Sequence, residues 1–187
     1  MKAKVKAMSI PRVEQAYDKH TWIIISEGLT APASGALAKG EAVEFMVKRE
    51  PWVRYKLADG TRLFGRVVVT KVVRTREYEP TGEPVYAWFN QGIFTSIAPE
   101  SLRGRPSDPR PTSLNPEDYN VVPVEFERLR SEEWNEYELS DGTIMKVTLE
   151  VTGIYRTDRY GNDGDPFYIV GSEPVQRLEV PKRLLRK

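Results

Sequence analysis

The sequence predicts an all-β protein made of two tandem SH3-like β-barrel or β-roll units with an N-terminal β extension. Three observations predict this fold class: a segment that recurs at a fixed offset, apolar residues at alternate positions, and tight-turn dipeptides between the alternating stretches. Short strands and tight turns suit a small barrel or roll, although an open sheet would satisfy the same pattern. The chain of 187 residues is long enough for two compact units.

The recurring segment is interpreted as an internal duplication. The pattern WxxYxLxDGT occupies residues 52–61 and returns without a gap at residues 134–143, a spacing of 82 (134 minus 52). The same spacing relates Arg74 to Arg156 and Tyr86 to Tyr168. Two copies that keep the same turn and strand residues are expected to fold alike.

The duplication predicts four parts of the chain. An N-terminal extension at 1–42 packs on the first repeat at 43–103, and a proline-rich linker at 104–123 leads to the second repeat at 124–187. The linker is expected to be stiff and extended because its prolines interrupt helix and ladder hydrogen bonding. A unit of about 60 residues buries barely enough surface to be stable alone, so we expect the two copies to pack against each other.

Within each copy the pattern predicts a meander of short strands around one long strand. The Asp-Gly dipeptides at 59–60 and 141–142 are strong signals for tight hairpin turns. After the second turn, apolar and polar residues alternate from Met145 to Thr152, as in a half-buried strand, and the first copy has a strand at the matching position. This strand is long enough to require a bend, for which Gly65 and Gly153 are the candidates. A proline near the end of each copy predicts one final helical turn.

The two copies differ on the outward face of the long strand. The first copy has apolar residues where the second has two charged ones: Phe64, Val68 and Val72 against Lys146, Glu150 and Ile154. A large exposed apolar stripe usually has a partner, so these three residues are candidates for a partner or inter-repeat contact. We expect the N-terminal segment Trp22–Ile25 to cover them, with an external protein partner as the alternative.

The copies also differ in charge at matching positions. Arg54 and Lys56 of the first copy stand where Glu136 and Glu138 stand in the second. These oppositely charged surfaces could pair within the chain or could join neighbouring molecules of the protein head to tail. Alternatively, they could restrict the binding of a polyanion to the first copy. Solvated charge without a partner is a further interpretation.

Basic and aromatic residues of the first copy form the candidate nucleic-acid site. Single-stranded nucleic acids bind where bases stack on aromatic rings beside Arg or Lys. The candidates are Arg54, Lys56, Arg62, Arg66, Arg74, Arg76, Tyr78 and Trp88. The nearly balanced total charge argues against binding to duplexes, where phosphate neutralisation dominates affinity.

The inventory of catalytic residues is poor. The chain has no cysteine and one histidine, His20, and it lacks the phosphate-loop, dinucleotide-binding and zinc-protease motifs. The sequence therefore predicts a protein that is not an enzyme, with no metal site and no cofactor. The few Asn and Gln residues beside many charged ones are typical of a thermophile.

Taken together, the sequence predicts a non-enzymatic cytoplasmic protein that serves in binding, scaffolding or assembly. The expected partner is another protein or a second copy of the chain. The alternative is binding of single-stranded nucleic acid or RNA through the basic aromatic face of the first repeat. No apolar stretch reaches the length of about 20 residues that a membrane span requires, so no membrane partner is expected.

Overall fold

The computed structural model describes residues 24–30, 40–109, 112–129 and 134–186. Within these residues the protein is all-β, which confirms the predicted class. The strands are β1 Ile24–Thr30, β2 Glu41–Val43, β3 Phe45–Arg49, β4 Val53–Leu57, β5 Arg62–Tyr78, β6 Pro84–Ile97, β7 Val121–Pro123, β8 Phe126–Arg128, β9 Asn135–Leu139, β10 Ile144–Tyr160 and β11 Pro166–Glu179. Short 3-10 helices lie at Glu100–Leu102, Pro116–Asp118 and Lys182–Leu184.

The strands form two antiparallel sheets. The first sheet has the order β1-β6-β5-β4-β8, with β2 also paired to β5, and the second has the order β11-β10-β9-β3, with β7 also paired to β10. In neither sheet do the two terminal strands of this order pair with each other, so the described residues contain no closed barrel. The open-sheet alternative therefore describes the molecule better than the barrel.

The terms first copy and second copy denote residues 43–103 and 124–187, whose common origin remains a prediction. Each sheet takes one strand from the other copy. Strand β3 belongs to the first copy but pairs with β9, and β8 belongs to the second copy but pairs with β4. The crossings are reciprocal: Ser140 donates its backbone N–H to Glu44, and Ala58 donates to Glu125. A single residue, Glu44, separates β2 in the first sheet from β3 in the second. The opening segment of each copy thus ties the two sheets together.

The hydrophobic core is shared by both copies. One continuous cluster of buried side chains contains residues of β4, β5 and β6 together with residues of β9, β10 and β11. Tyr55 and Leu57 point into it from the first copy, and Tyr137 and Leu139 point into it from the matching positions of the second. The alternation that the sequence predicted for these strands is confirmed by their burial. A second, small cluster of Phe167, Ile169, Tyr119 and Tyr155 lies apart from this shared core.

The Asp-Gly dipeptides form tight turns, as predicted. Gly60 and Gly142 adopt φ values of 90° and 85°, which side chains other than glycine tolerate poorly. In the first turn Leu57 and Thr61 are joined by a backbone hydrogen bond of 2.9 Å, and Leu139 and Thr143 form the same bond in the second. The turns present their aspartates to the opposite copy.

A register shift interrupts each long strand near its middle. It lies between Val69 and Lys71 in β5, and between Val151 and Gly153 in β10. Gly153, one candidate for a bend, lies at this shift, whereas Gly65, the other candidate, lies against the Phe94 ring, where a Cβ atom would come within 2.8 Å. Beyond the shift the faces exchange, so Val72, expected to face outward, is 1% exposed and part of the core.

The N-terminal strand β1 pairs with β6 along seven register positions, from Ile24–Phe94 to Thr30–Trp88. The expectations for Trp22, Ile23 and His20 lie outside the described residues. The first linker residues contact the second copy, since Gly104 donates its backbone N–H to Gly164. The predicted domain boundaries remain a prediction. No helix in the described ranges has the length and apolar character needed to cross a membrane.

Candidate functional site

The residues that both copies keep are used in a polar network between the copies. Asp59, in the first turn, accepts hydrogen bonds from the Tyr168 hydroxyl at 2.8 Å and from the Arg156 guanidinium at 2.9 Å. Tyr168 has one hydroxyl proton and gives it to Asp59, so Thr61 donates its own proton to the Tyr168 oxygen at 2.7 Å. The turn of the first copy is thereby fixed to β10 and β11 of the second.

The second turn makes the mirrored contacts with the first copy. Asp141 accepts from the Tyr86 hydroxyl at 2.6 Å and lies 3.4 Å from the Arg74 guanidinium. Thr143 lies 2.9 Å from the Tyr86 oxygen. Arg74 was predicted to contact nucleic acid, but its guanidinium here binds Asp141 and, at 3.4 Å, Glu41. The retained arginines therefore have a structural role that the sequence left open.

The pKa values of these groups follow from burial and from the hydrogen bonds. Burial raises the pKa of Asp59, but hydrogen bonds from the Thr61 N–H, from Tyr168 and from Arg156 outweigh it and hold the pKa below its ordinary value. Asp141 shows the same direction, with Tyr86 as the main donor. Burial and the neighbouring Asp141 raise the pKa of Tyr86 to about 12. The low-pKa carboxylates are thus acceptors in a structural network.

The raised tyrosine pKa predicts a loss of stability in alkali. A tyrosine whose pKa is higher in the folded state than in the unfolded state contributes stability below pH 10, and the contribution is lost as pH rises toward the folded value. We expect the free energy of unfolding, measured with urea, to fall between pH 10 and pH 12. Tyr86→Phe should be less stable at pH 8 but should show a smaller decline. An equal decline in the variant would contradict the assignment.

Two further tyrosines reach across the interface from matching positions. The Tyr55 hydroxyl donates to the backbone oxygen of Leu149 at 3.1 Å. The Tyr137 hydroxyl donates to Glu50 at 2.8 Å and accepts from the Val69 backbone N–H at 3.3 Å. Burial and Glu50 raise the pKa of Tyr137. Both tyrosines therefore belong to the interface between the copies.

The outward side of the first sheet carries a group of cations, which we call the basic face: Arg54, Lys56, Arg62 and Arg66. Register pairs Lys56 with Arg62 across β4 and β5, and antiparallel partners lie on the same side of a sheet. Arg54, Lys56 and Arg62 form no ion pair with any residue of the described ranges. Glu127 on β8 is in register with Lys56 but makes no ion pair with it. The positive charge of this face is largely uncompensated.

Aromatic and aliphatic side chains lie between these cations. The Arg66 guanidinium stacks over the Trp52 ring, 4.5 Å from its centroid. Phe64 is in register with Arg54, and Phe64 and Val68 are both half-buried. The basic face therefore combines guanidinium groups with partly accessible apolar surface, as expected for the apolar stripe of the first copy.

The outward side of the second sheet is electrostatically different. Glu138 pairs with Lys48 of β3 at 3.0 Å, and Glu179 pairs with Lys146 at 2.6 Å. Glu136 is in register with Lys146. The expected contrast in sign between the copies at positions 54, 56, 136 and 138 is thus reduced by basic neighbours. One of these neighbours, Lys48, comes from the first copy.

Trp88 does not belong to the basic face. It was predicted as a base-stacking residue, but it is fully buried in the shared core. The register shift in β5 brings it opposite Val72, another core residue. Because neither ring face of Trp88 reaches the surface, the assignment of Trp88 to a nucleic-acid site is wrong.

The remaining predicted residues lie in a separate cleft at the far end of β5. Arg74, Arg76 and Tyr78 line this cleft of about 900 Å³ together with Arg183 and Arg186. The sequence did not suggest the last two, because they are separated from β5 by more than a hundred positions. The spacing of 82 relates residues 183–186 to residues 101–104. Both segments contact a turn of the other copy, since Arg186 donates its backbone N–H to Gly82 and Gly104 donates to Gly164.

The comparisons with known proteins are negative. No protein-family model matches the chain, and neither a curated protein nor a solved structure matches it significantly. The described residues contain no group of three or more His, Cys, Asp or Glu side chains arranged to hold a metal ion. The basic face and the cleft are therefore judged from their own chemistry.

Proposed function

We propose that this protein is a non-enzymatic binding protein and that its ligand is single-stranded nucleic acid, contacted by the basic face of the first sheet. The observation that carries the proposal is the group of cations at Arg54, Lys56 and Arg62, without ion pairs in the described ranges, beside partly accessible Phe64 and Trp52. Phosphates bind such cations, and bases stack on aromatic rings between them.

Stacking on this face is supported by the arrangement of Trp52 and Arg66. The guanidinium covers one side of the indole, and a stacked guanidinium still directs N–H groups outward to phosphate oxygens. The Arg66 Nε is buried without a hydrogen-bond partner among the described residues. The surface of the sheet suits an extended single strand better than it suits a duplex.

Self-association is the second candidate function, supported by the remaining difference in sign between the two outward faces. Head-to-tail contact would place the basic face of one molecule on Glu136 and Glu138 of the next. Lys48 and Lys146 already compensate part of that charge, which weakens this contact relative to a polyanion. Light scattering between 50 mM and 500 mM salt distinguishes the two, because charge-driven assembly dissociates as salt screens it.

The proposal predicts salt-dependent binding of an unstructured oligonucleotide. Four contacted phosphates give a slope of log K against log salt of about −3, and each lost contact reduces the slope by about 0.7. Arg54→Glu and Lys56→Glu place the second copy's residues at these positions. Each should weaken binding and make the slope less negative. Fluorescence anisotropy of a labelled unphosphorylated 12-mer measures both quantities.

Arg105→Glu is the matched control, because it makes the same charge change at an exposed linker residue outside the basic face. It should leave affinity close to that of the unmodified protein. Binding that is absent at 50 mM salt, or that all three variants weaken equally, would overturn the proposal.

A further inference from the structure

The cleft at the end of β5 has the chemistry of an anion site. Four guanidinium groups line it, those of Arg74, Arg76, Arg183 and Arg186, together with the ring of Tyr78. Glu41 also lines the cleft, and Asp141 binds Arg74. Among the lining residues, four arginines against one glutamate leave the cleft cationic.

Three of the four arginines are held in place by other groups. Arg74 is bound by Asp141 and Glu41, and Arg183 donates to the backbone oxygen of Asp141. Arg186 stacks over Tyr78, 5.3 Å from the ring centroid, while its backbone N–H donates to Gly82 at 2.8 Å. Guanidinium groups fixed in advance lose less conformational entropy when they bind an anion.

Arg76 and Tyr78 supply the accessible part of the cleft. Arg76 is exposed and has no ion pair with a residue of the described ranges. Tyr78 is 43% exposed. A ring beside arginines suits a ligand that has a planar group as well as an anionic one.

The opposite end of the molecule provides an internal comparison, because the residues at the equivalent positions differ. At the spacing of 82, Arg76 corresponds to Asp158, Arg183 to Ser101 and Arg186 to Gly104. Gly104 lies against the ring of Tyr160, where a Cβ atom would come within 2.6 Å.

The linker also holds Tyr160 directly. Ser107 donates its backbone N–H to the backbone carbonyl oxygen of Tyr160 at 3.1 Å. The Ser107 hydroxyl accepts a hydrogen bond from the backbone N–H of Tyr160 at 2.9 Å. The linker thus fills at one end of the molecule the position that arginines line at the other. The arginines are not required by the fold, since the equivalent end of the molecule forms matching strands with Asp158, Ser101 and Gly104 in place of three of them.

We propose that this cleft binds the phosphate monoester of a nucleotide together with its base, either as a free nucleotide or as the 5′ end of a single strand. Arginine matches the oxygens of a phosphate dianion in a forked geometry, and the volume of about 900 Å³ accommodates a nucleotide. The site is separate from the basic face and does not rest on the function proposed for that face.

Isothermal titration calorimetry of the full chain with adenosine 5′-monophosphate, adenosine and inorganic phosphate tests the site. The monophosphate should bind saturably and adenosine should not, with inorganic phosphate weaker than the monophosphate. Arg76→Gln should weaken the monophosphate at least about tenfold, as expected for a lost charged hydrogen bond. Arg105→Gln is the control and should bind as the unmodified protein does.

A 5′-phosphorylated 12-mer compared with its unphosphorylated form identifies the source of the phosphate. Preference for the phosphorylated 12-mer over the unphosphorylated one indicates a strand end, and equal binding of these two 12-mers indicates a free nucleotide. Arg54→Glu should leave binding of the monophosphate unchanged, so this proposal can stand when the basic face fails. Absence of saturable binding by both phosphorylated probes, or binding that Arg76→Gln leaves unchanged in a folded variant, overturns it.

Discussion

Neither half of this chain is expected to fold when it is separated from the other. A specific protease site placed between Pro109 and Thr112 allows the linker to be cut in the folded protein. After the cut, the two pieces should remain associated, because β3 and β8 still pair with the opposite sheet. After separation in denaturant, each piece alone should lack the circular dichroism and cooperative melting of the intact protein, and mixing should restore both.

The physical reason is the shared core. An isolated first half would expose the inward side of β4, β5 and β6, which in the intact protein packs against β9, β10 and β11. It would also leave Tyr55 without the Leu149 oxygen and Arg74 without Asp141. Each piece contains one copy of about 60 residues, a size that has little stability to spare for such losses. An isolated half that melts cooperatively near the temperature of the intact protein would contradict this expectation.

Much of the local structure could be predicted from the sequence. The Asp-Gly turns follow from the need for positive φ at Gly60 and Gly142, and the inward positions of Tyr55 and Leu57 follow from alternation. The single helical turn at the end of each copy is present as 3-10 helices at Glu100–Leu102 and Lys182–Leu184. These features depend on residues close together in the chain.

The exchange of strands between copies could not be predicted in this way. Residues 43–45 have the same apolar pattern whether they join the first sheet or the second, because alternation reports which face is buried but not which strand is the neighbour. The roles of Asp59 and Arg156 were missed for the same reason. Both residues were recognised as retained, but their partners lie about a hundred positions away.

The register shift, by contrast, left a readable signal. The apolar run Val67–Val69 ends at the polar pair Thr70-Lys71, which is followed by the apolar pair Val72-Val73. Such a change of phase is typical of a β-bulge, which moves the following residues to the other face. Using it would have placed Val72 in the core, and it would have removed Val72 from the predicted outward stripe.

The second large effect is expected from the aspartates of the two turns. Asp59→Ala leaves the Tyr168 hydroxyl and the Arg156 guanidinium without their acceptor in a largely buried site, where the Asp59 side chain is 12% exposed. Removing one member of such a pair should lower the free energy of unfolding by about 3 kcal/mol. Asp141→Ala should have a similar effect through Tyr86 and Arg74. Urea unfolding at pH 7 measures both.

Three comparisons make this second expectation specific. Glu179→Ala removes an exposed ion pair with Lys146 and should change stability by less than about 1 kcal/mol. Asp59→Asn keeps a hydrogen-bond acceptor and should lose less than Asp59→Ala. Because the folded pKa values of Asp59 and Asp141 are lowered, their contribution is present above about pH 4 and is lost as pH falls through those lower values.

The dependence of the free energy of unfolding on pH below about pH 4 tests whether these two aspartates control the acid transition. The unmodified protein should lose stability below about pH 4, as the unfolded chain takes up protons that the folded network excludes. The double variant Asp59→Asn with Asp141→Asn should start from a lower stability and show a flatter profile over the same range. If its acid profile paralleled that of the unmodified protein, carboxylates elsewhere would control the acid transition, and the two turns would join the copies by packing alone.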